Sequence, residues 1–263
     1  MKRSILTICL CLFLTSSITH ADWFDGDDYK MHFPQLPDPF GWDIKDGYDQ
    51  ETQRTKVLAD DWLCTETGPV GDVHLWGSWK DDIVGQINSI HLSIHSDVPA
   101  GTDPATQYSH PGELLWQHDF SATEFIMLDP YGTGQEGWYN PNSGEVLPDN
   151  HFTFHQINIT NIPDPFIQKE GTIYWLDVVV NVPSIPGTVQ PEWGWKTSIE
   201  QFNDDAVWGD LLADGTVEFW NELTDPLADP VRSLDLAFVI TPEPTTMALL
   251  SLGSLILLRR KGK

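Results

Sequence analysis

Carboxylates are the commonest side chains here that could do chemistry, and they come in pairs: Asp60-Asp61, Asp81-Asp82 and Asp204-Asp205. Two carboxyl groups held about 5–9 Å apart could hydrolyse a glycosidic bond. With 39 acidic residues in the chain, some pair meets that distance by chance. Solvated loop and strand-end charges are therefore the expected reading, and a metal- or carboxylate-dependent hydrolase is the most distant alternative. Gly-x-Ser-x-Gly, His-Glu-x-x-His and a phosphate-cradling glycine loop are all absent, so no catalytic residue is assigned.

Histidines offer a sharper arrangement. His91 and His95 project from one face of an expected strand, as do His151 and His155. Residues i and i+4 on a strand lie about 13 Å apart, too far to share one metal whose ligands sit about 2 Å from it. A site would have to form across strands, for example from His91 with His155; otherwise these are packed or solvent-facing histidines. Oxygen ligands suit calcium better than zinc. Asp25-Gly26-Asp27-Asp28 and Asn203-Asp204-Asp205 gather them locally, making Asp25, Asp27, Asp28, Asp204 and Asp205 the residues for a structural calcium ion. Neither run matches the EF-hand loop, and no other cofactor is indicated. Cys64 is the only cysteine after residue 21 and has no nearby Lys or Arg. It reads as a buried, inert thiol, and the fold must stand without an intrachain disulfide.

Tryptophans make the binding case. All 12 fall between Ala21 and Thr241, and flat rings on a sheet are a ready way to stack sugar faces. Parity in Leu75-Trp76-Gly77-Ser78-Trp79 puts Trp79 inward and Trp76 outward. Trp193 and Trp195 sit in Pro191-Glu192-Trp193-Gly194-Trp195-Lys196, which Pro191 and Gly194 mark as a loop. Trp138 stands before Tyr139-Asn140-Pro141. Trp76, Trp138, Trp193 and Trp195 are thus the expected exposed platform of a glycan-binding module, set against the general tendency of tryptophan to be buried.

The elements that must position these residues are strands. Val73 to Trp79 alternates, and Ile90, Leu92 and Ile94 share one face of the next run. Glu113 to Phe120 and Phe152 to Ile159 read as further strands. Tyr174, Leu176, Val178, Val180 and Val182 line one face of a long β-branched run, and Leu234, Leu236, Phe238 and Ile240 close the series. Pro and Gly clusters separate the runs, and no fixed-period repeat is present. The pattern predicts an all-β fold, an antiparallel β-sandwich that is jelly-roll-like.

Both ends serve as addresses rather than fold. Lys2-Arg3, the apolar run Ile5 to Leu14 and Thr19-His20-Ala21 make residues 1–21 a secretory signal peptide, cleaved after Ala21. At the far end, Pro242-Glu243-Pro244 bars helix and strand pairing and leaves an extended, accessible backbone. The run from Thr245 to Leu258 that follows spans about 21 Å as a helix, short of the ~30 Å hydrocarbon core. Arg259-Arg260-Lys261 would hold the terminus on the cytoplasmic side. Between the ends lie an extended lead-in, residues 22–55, whose rings pack on the body, and a sandwich ectodomain, residues 56–241. Six of the 14 basic residues but only Glu243 of the 39 acidic ones lie in the ends. The 38 acids and 8 bases between them give a net charge of −30, which excludes nucleic acid and anionic lipid as partners and suits a self-repelling surface protein.

Pro242-Glu243-Pro244, the short apolar helix at 245–258 and the basic end at 259–263 with Arg259-Arg260 resemble the PEP-CTERM sorting signal of Gram-negative bacteria. That resemblance implies export by the Sec machinery and transient inner-membrane attachment through residues 245–258. It also implies recognition by an exosortase at Pro-Glu-Pro and a place at the cell surface or in the extracellular matrix, often beside exopolysaccharide. Ala59-Asp60-Asp61-Trp62, Ile173-Tyr174-Trp175-Leu176, Gly194-Trp195-Lys196-Thr197 and Asp205-Ala206-Val207-Trp208-Gly209, with Leu75 to Trp79, resemble an uncharacterised domain family of exosortase-sorted proteins from planctomycete-type bacteria. This second resemblance implies a secreted β-sandwich and supplies no activity. A non-catalytic surface or matrix protein is the leading expectation, and a glycan-binding module is the alternative.

Overall fold

A computed structural model describes residues 22–242, apart from 105, 186 and 188. The signal peptide, Glu243, Pro244, the apolar run at 245–258 and the basic end with Arg259 and Arg260 lie outside the described residues. In chain order the strands are β1 (Trp42–Lys45), β2 (Gly47–Asp49), β3 (Arg54–Leu63), β4 (Gly68–Pro69), β5 (Asp72–Trp79), β6 (Ser89–Val98), β7 (His110–Ser121) and β8 (Ile126–Asn140). They continue as β9 (Glu145–Ile159), β10 (Ile167–Gln168), β11 (Ile173–Asn181), β12 (Trp193–Lys196), β13 (Val207–Leu211), β14 (Asn221–Glu222) and β15 (Phe238–Thr241).

Two sheets carry the fold. One, the second sheet, runs β14-β13-β3-β11-β6-β7, with β2 added on β3. The other, the first sheet, runs β12-β1-β8-β9-β5-β15, and β12 also pairs with β5. That extra pairing closes β12, β1, β8, β9 and β5 into a ring of hydrogen-bonded strands, leaving β15 beside β12 on the same edge of β5. Every pairing between named strands is antiparallel except β1 with β8.

The sheets meet in one core, where Leu75, Ile157, Trp195 and Phe238 of the first pack with Leu58, Leu92, Leu176 and Val178 of the second. Each such side chain contributes about 1.5–3 kcal/mol on burial, so the core does the work that disulfides would do elsewhere. The alternation read at Ile90, Leu92 and Ile94, and from Tyr174 to Val180, is the buried face of the second sheet. The fold is thus the antiparallel β-sandwich that the alternation predicts, with one layer curled into a ring.

Two stretches differ from expectation. The sheet begins at Trp42, inside the segment read as an extended lead-in, because Trp42–Lys45 fills the gap between β12 and β8. Four residues with charges at alternate positions give too short a pattern to read as a strand. The whole of β8 also went unread, since Pro130, Gly132, Gly134 and Gly137 mimic turn chemistry. Its pairing with β9 absorbs them through register shifts. Gly137 is required there, because a Cβ would lie 2.4 Å from the Trp42 ring.

Candidate functional site

Each strand of the ring sends one polar side chain to a common point. They are Asp43 from β1, Glu136 from β8, His151 from β9, Ser78 from β5 and Lys196 from β12, all with no solvent exposure. Asp43 and Lys196 are direct cross-strand partners, as are Glu136 and His151. Lys196 Nζ donates to Glu136 Oε2 at 2.7 Å and to Asp43 Oδ2 at 3.0 Å. His151 Nε2 lies 2.9 Å from Asp43 Oδ2 and 3.4 Å from Glu136 Oε2. Ser78 Oγ donates to Glu136 Oε2 at 2.8 Å. The Trp138 ring lies 6.4 Å from the His151 ring, and the Phe154 ring 5.3 Å from the ammonium. A Cβ at position 194 would meet Trp138 at 2.9 Å and Asp43 Cβ at 3.1 Å, so Gly194 leaves the room that the cluster fills.

Burial in this cluster works against the charged forms, and the partners decide the outcome. Burial alone would raise the Asp43 carboxyl, but the Lys196 charge, His151 and Glu136 bring it down to about 2. Burial would lower His151, yet its bonds to Asp43 and Glu136 lift it to about 9. Burial, together with the Asp43 charge, pushes Glu136 up, against the pull of His151 and Lys196. Of the two carboxyl groups, Glu136 is thus the one that takes up a proton more readily. Asp43, Glu136 and His151 are also the one group, among the described residues, whose ligand atoms lie within 4.8 Å of one another. The Lys196 ammonium already supplies the cation at that point.

The expected glycan platform is not at the surface. Trp76, Trp138, Trp193 and Trp195 are all fully buried. Trp76 faces away from the sandwich core as parity requires, but Trp23 and Tyr131 cover it with ring distances of 5.9 and 5.7 Å. Trp193 packs edge-on against Trp79 at 5.2 Å, and the Trp195 indole N–H donates to the Ala237 carbonyl. The residues read as a loop are strand β12, whose two faces turn to the core and to the ring interior. Parity assigns inside and outside only when one face is wet, and here neither is.

The remaining predicted residues are dispersed. His91 and His155 lie in different sheets and form no joint site. His91 Nδ1 meets Asp119 at 2.8 Å, while His95 Nε2 meets Asp177 at 3.2 Å. Asp25, Asp27 and Asp28 are exposed, and Asp27 accepts from the Phe24 N–H of its own turn. Asp204 accepts from the Ser109 N–H and hydroxyl, and burial raises Asp205. Cys64 is buried, donates to the Glu66 carbonyl, and is pushed up by burial. Sequence reasoning missed the charged cluster altogether; its one local signal is a charge inside an otherwise apolar strand, as in Trp42-Asp43-Ile44 and Trp195-Lys196.

One open concavity lies on the outer face of the second sheet, a cleft of about 810 Å³ lined by His91, His95, Tyr108, Asp177, Phe219 and Trp220 among others. Phe219 is 69% exposed there, and the Tyr108 hydroxyl donates to the Trp220 carbonyl. Burial lowers His95, but its bond to Asp177 outweighs that and raises it.

The last strand fixes where the folded body ends. β15 runs along the edge of β5 with Thr241 opposite Asp72, and Thr241 is 5% exposed. Pro242 is already outside strand pairing. Comparison with known families matches residues 241–261 to the PEP-CTERM protein-sorting motif. Residues 31–241 match a family model described as a domain of unknown function, DUF7901. No curated protein and no solved structure matches the chain. The match covers β1 through β15, and the chain belongs to the DUF7901 family, followed without a gap by an exosortase sorting motif.

Proposed function

We propose that the folded body is a non-catalytic structural component of the cell surface or extracellular matrix, delivered by exosortase processing and associated with exopolysaccharide. The observation that carries this reading is the junction at Thr241. The last described strand ends at Thr241, directly before Pro-Glu-Pro, so a cut within the motif leaves every described strand pairing intact. A body with a net charge of −30 between the two addressing ends stays soluble and self-repelling after release. The chemically reactive side chains that converge most closely are sealed inside the ring, which suits holding a shape rather than turning over a substrate.

A second reading, glycan binding, rests on the outer cleft rather than on the buried tryptophans. Phe219, Trp220 and Tyr108 offer ring surface beside His91, His95 and Asp177, the mixture of apolar face and polar edge that sugars require. Purified full chain is expected to be retained by exopolysaccharide from the producing cells. The glycan-binding reading predicts that Phe219→Ala abolishes retention with no fall in melting temperature. Retention unchanged in that variant assigns the association to the surface at large, and no retention of either protein removes polysaccharide from the proposal.

A further inference from the structure

We propose that Lys196 and Asp43 join through an intramolecular amide bond, formed by the protein itself inside the closed ring of strands. The inference goes beyond the structural role above and stands whether or not polysaccharide is bound. The ingredients are all present. An amine nitrogen lies 3.0 Å from the Asp43 carboxylate on the directly paired strand position. A second carboxyl group, Glu136, touches the same nitrogen at 2.7 Å. His151 meets Asp43 Oδ2 at 2.9 Å. Bulk water, which would hold the charged forms apart, does not reach them, since every group has zero exposure and aromatic rings line the point.

The chemistry balances without any added reagent. The ion pair is the resting form, but inside the buried ring it loses much of its solvation advantage over the neutral pair. The reaction starts when the Lys196 ammonium passes a proton to the Asp43 carboxylate. The freed amine attacks Asp43 Cγ, forming the C–N bond. His151 donates to Oδ2, which carries the developing negative charge and becomes the amide carbonyl. Glu136, which burial favours in its protonated form, receives a proton from the nitrogen and returns one to the departing oxygen. Oδ1, which has no hydrogen-bond partner among the described residues, leaves as water. The product keeps Glu136 and His151 as each other's partners and loses one cation and one anion together.

Lys56 and Asp210 form a useful contrast. They too are opposed across two strands, but the Arg54 guanidinium shares the Asp210 carboxylate, which is partly exposed. Bonds to Lys56 and Arg54 hold that carboxyl low despite its burial, so it stays an ion-pair acceptor.

Consequences for the fold follow directly. The amide closes a loop of 153 residues and ties β1 to β12, the strand whose second pairing, with β5, closes the ring. It would lock the ring against unfolding outside the cell, where Cys64, the one cysteine among the described residues, is free.

The test is the intact mass of the full chain under denaturing conditions, followed by tryptic mapping. We expect a mass lower than the sequence mass by one water. Trypsin should fail to cut after Lys196, giving a branched peptide in which Met31–Lys45 is joined to Glu170–Arg232. Asp43→Asn should instead lose one ammonia, and Glu136→Gln should retain its full mass. A wild-type chain at full mass with Lys196 cut by trypsin overturns the proposal. So does a branch joining Glu170–Arg232 to Asp81–Lys169, because that puts the bond on Glu136.

Discussion

Lys196→Met is expected to lower the free energy of unfolding by about 3–5 kcal/mol, the usual effect of removing one partner from a buried charge pair. In a body of this size that corresponds to roughly 6–20 °C in Tm. Methionine keeps the volume of the stem and removes only the ammonium. Asp43 and Glu136 then lose the Lys196 ammonium at zero exposure and must share the His151 imidazolium. Adding Glu136→Gln to the same chain should recover part of the loss, since it removes one of the two carboxyl groups that then compete for His151. Where the Lys196–Asp43 amide is formed, its absence from the variant adds to the deficit. Urea unfolding monitored by tryptophan fluorescence reads both effects. A loss below about 1 kcal/mol, typical of an exposed pair, would show that the cluster is hydrated and would contradict the sealed ring.

The pH dependence of that cluster has a definite sign when its side chains are unlinked. Asp43 falls from 3.8 to about 2 on folding, so its contribution is complete above 3.8 and is lost as pH falls through 2. His151 rises from 6.5 to about 9, so its contribution is complete below 6.5 and is lost as pH climbs through 9. Asp43 and His151 therefore both support the fold fully between 3.8 and 6.5, while the raised Glu136 carboxyl takes stability away as pH climbs above 4.5.

Asp61→Asn should make the protein more stable at pH 8 and leave it nearly unchanged at pH 4. Asp61 sits near the end of β3 with no solvent exposure. Burial raises its carboxyl from 3.8 to about 8; the Asn203 amide bond opposes this, while Asp235, Asp97 and Asp204 add to it. Asp235 is likewise lifted by burial to about 7, and burial with Asp235 and Asp61 beside it raises Asp60 well above the usual carboxylate range. For an acid with a raised folded pKa, the unfolded chain releases its proton first. Stability therefore falls as pH rises from 3.8 towards 8, by a few kcal/mol for a shift of this size. An asparagine at 61 cannot titrate, and its amide can still pair with the Asn203 side chain, 2.5 Å from the present carboxylate oxygen. Melting curves at a series of pH values should show a flatter profile for the variant. Parallel profiles would mean that Asp61 ionises freely in the folded protein.

The core was readable where one sheet face is apolar and the other meets polar surroundings. Ile90, Leu92 and Ile94 alternate in sequence and are buried as the alternation requires. The first sheet defeats that reading because both of its faces are covered, one by the sandwich core and one by the ring's own interior. Trp76, Trp138, Trp193 and Trp195 fail as surface residues for this reason. The charged cluster draws one residue from each of five strands between Asp43 and Lys196, and pairing among distant strands leaves no mark in local periodicity. The sorting tail was legible at once, because its three parts are contiguous and their order carries the information.

The most direct measurement is the mass and C-terminal sequence of the mature protein recovered from its own cells, fraction by fraction. Processing at the sorting motif predicts a chain beginning at Asp22 and ending at or before Thr245, without the apolar run, and found outside the inner membrane. A mature chain that still carries Leu258 and Lys263 and remains with the inner membrane would contradict it.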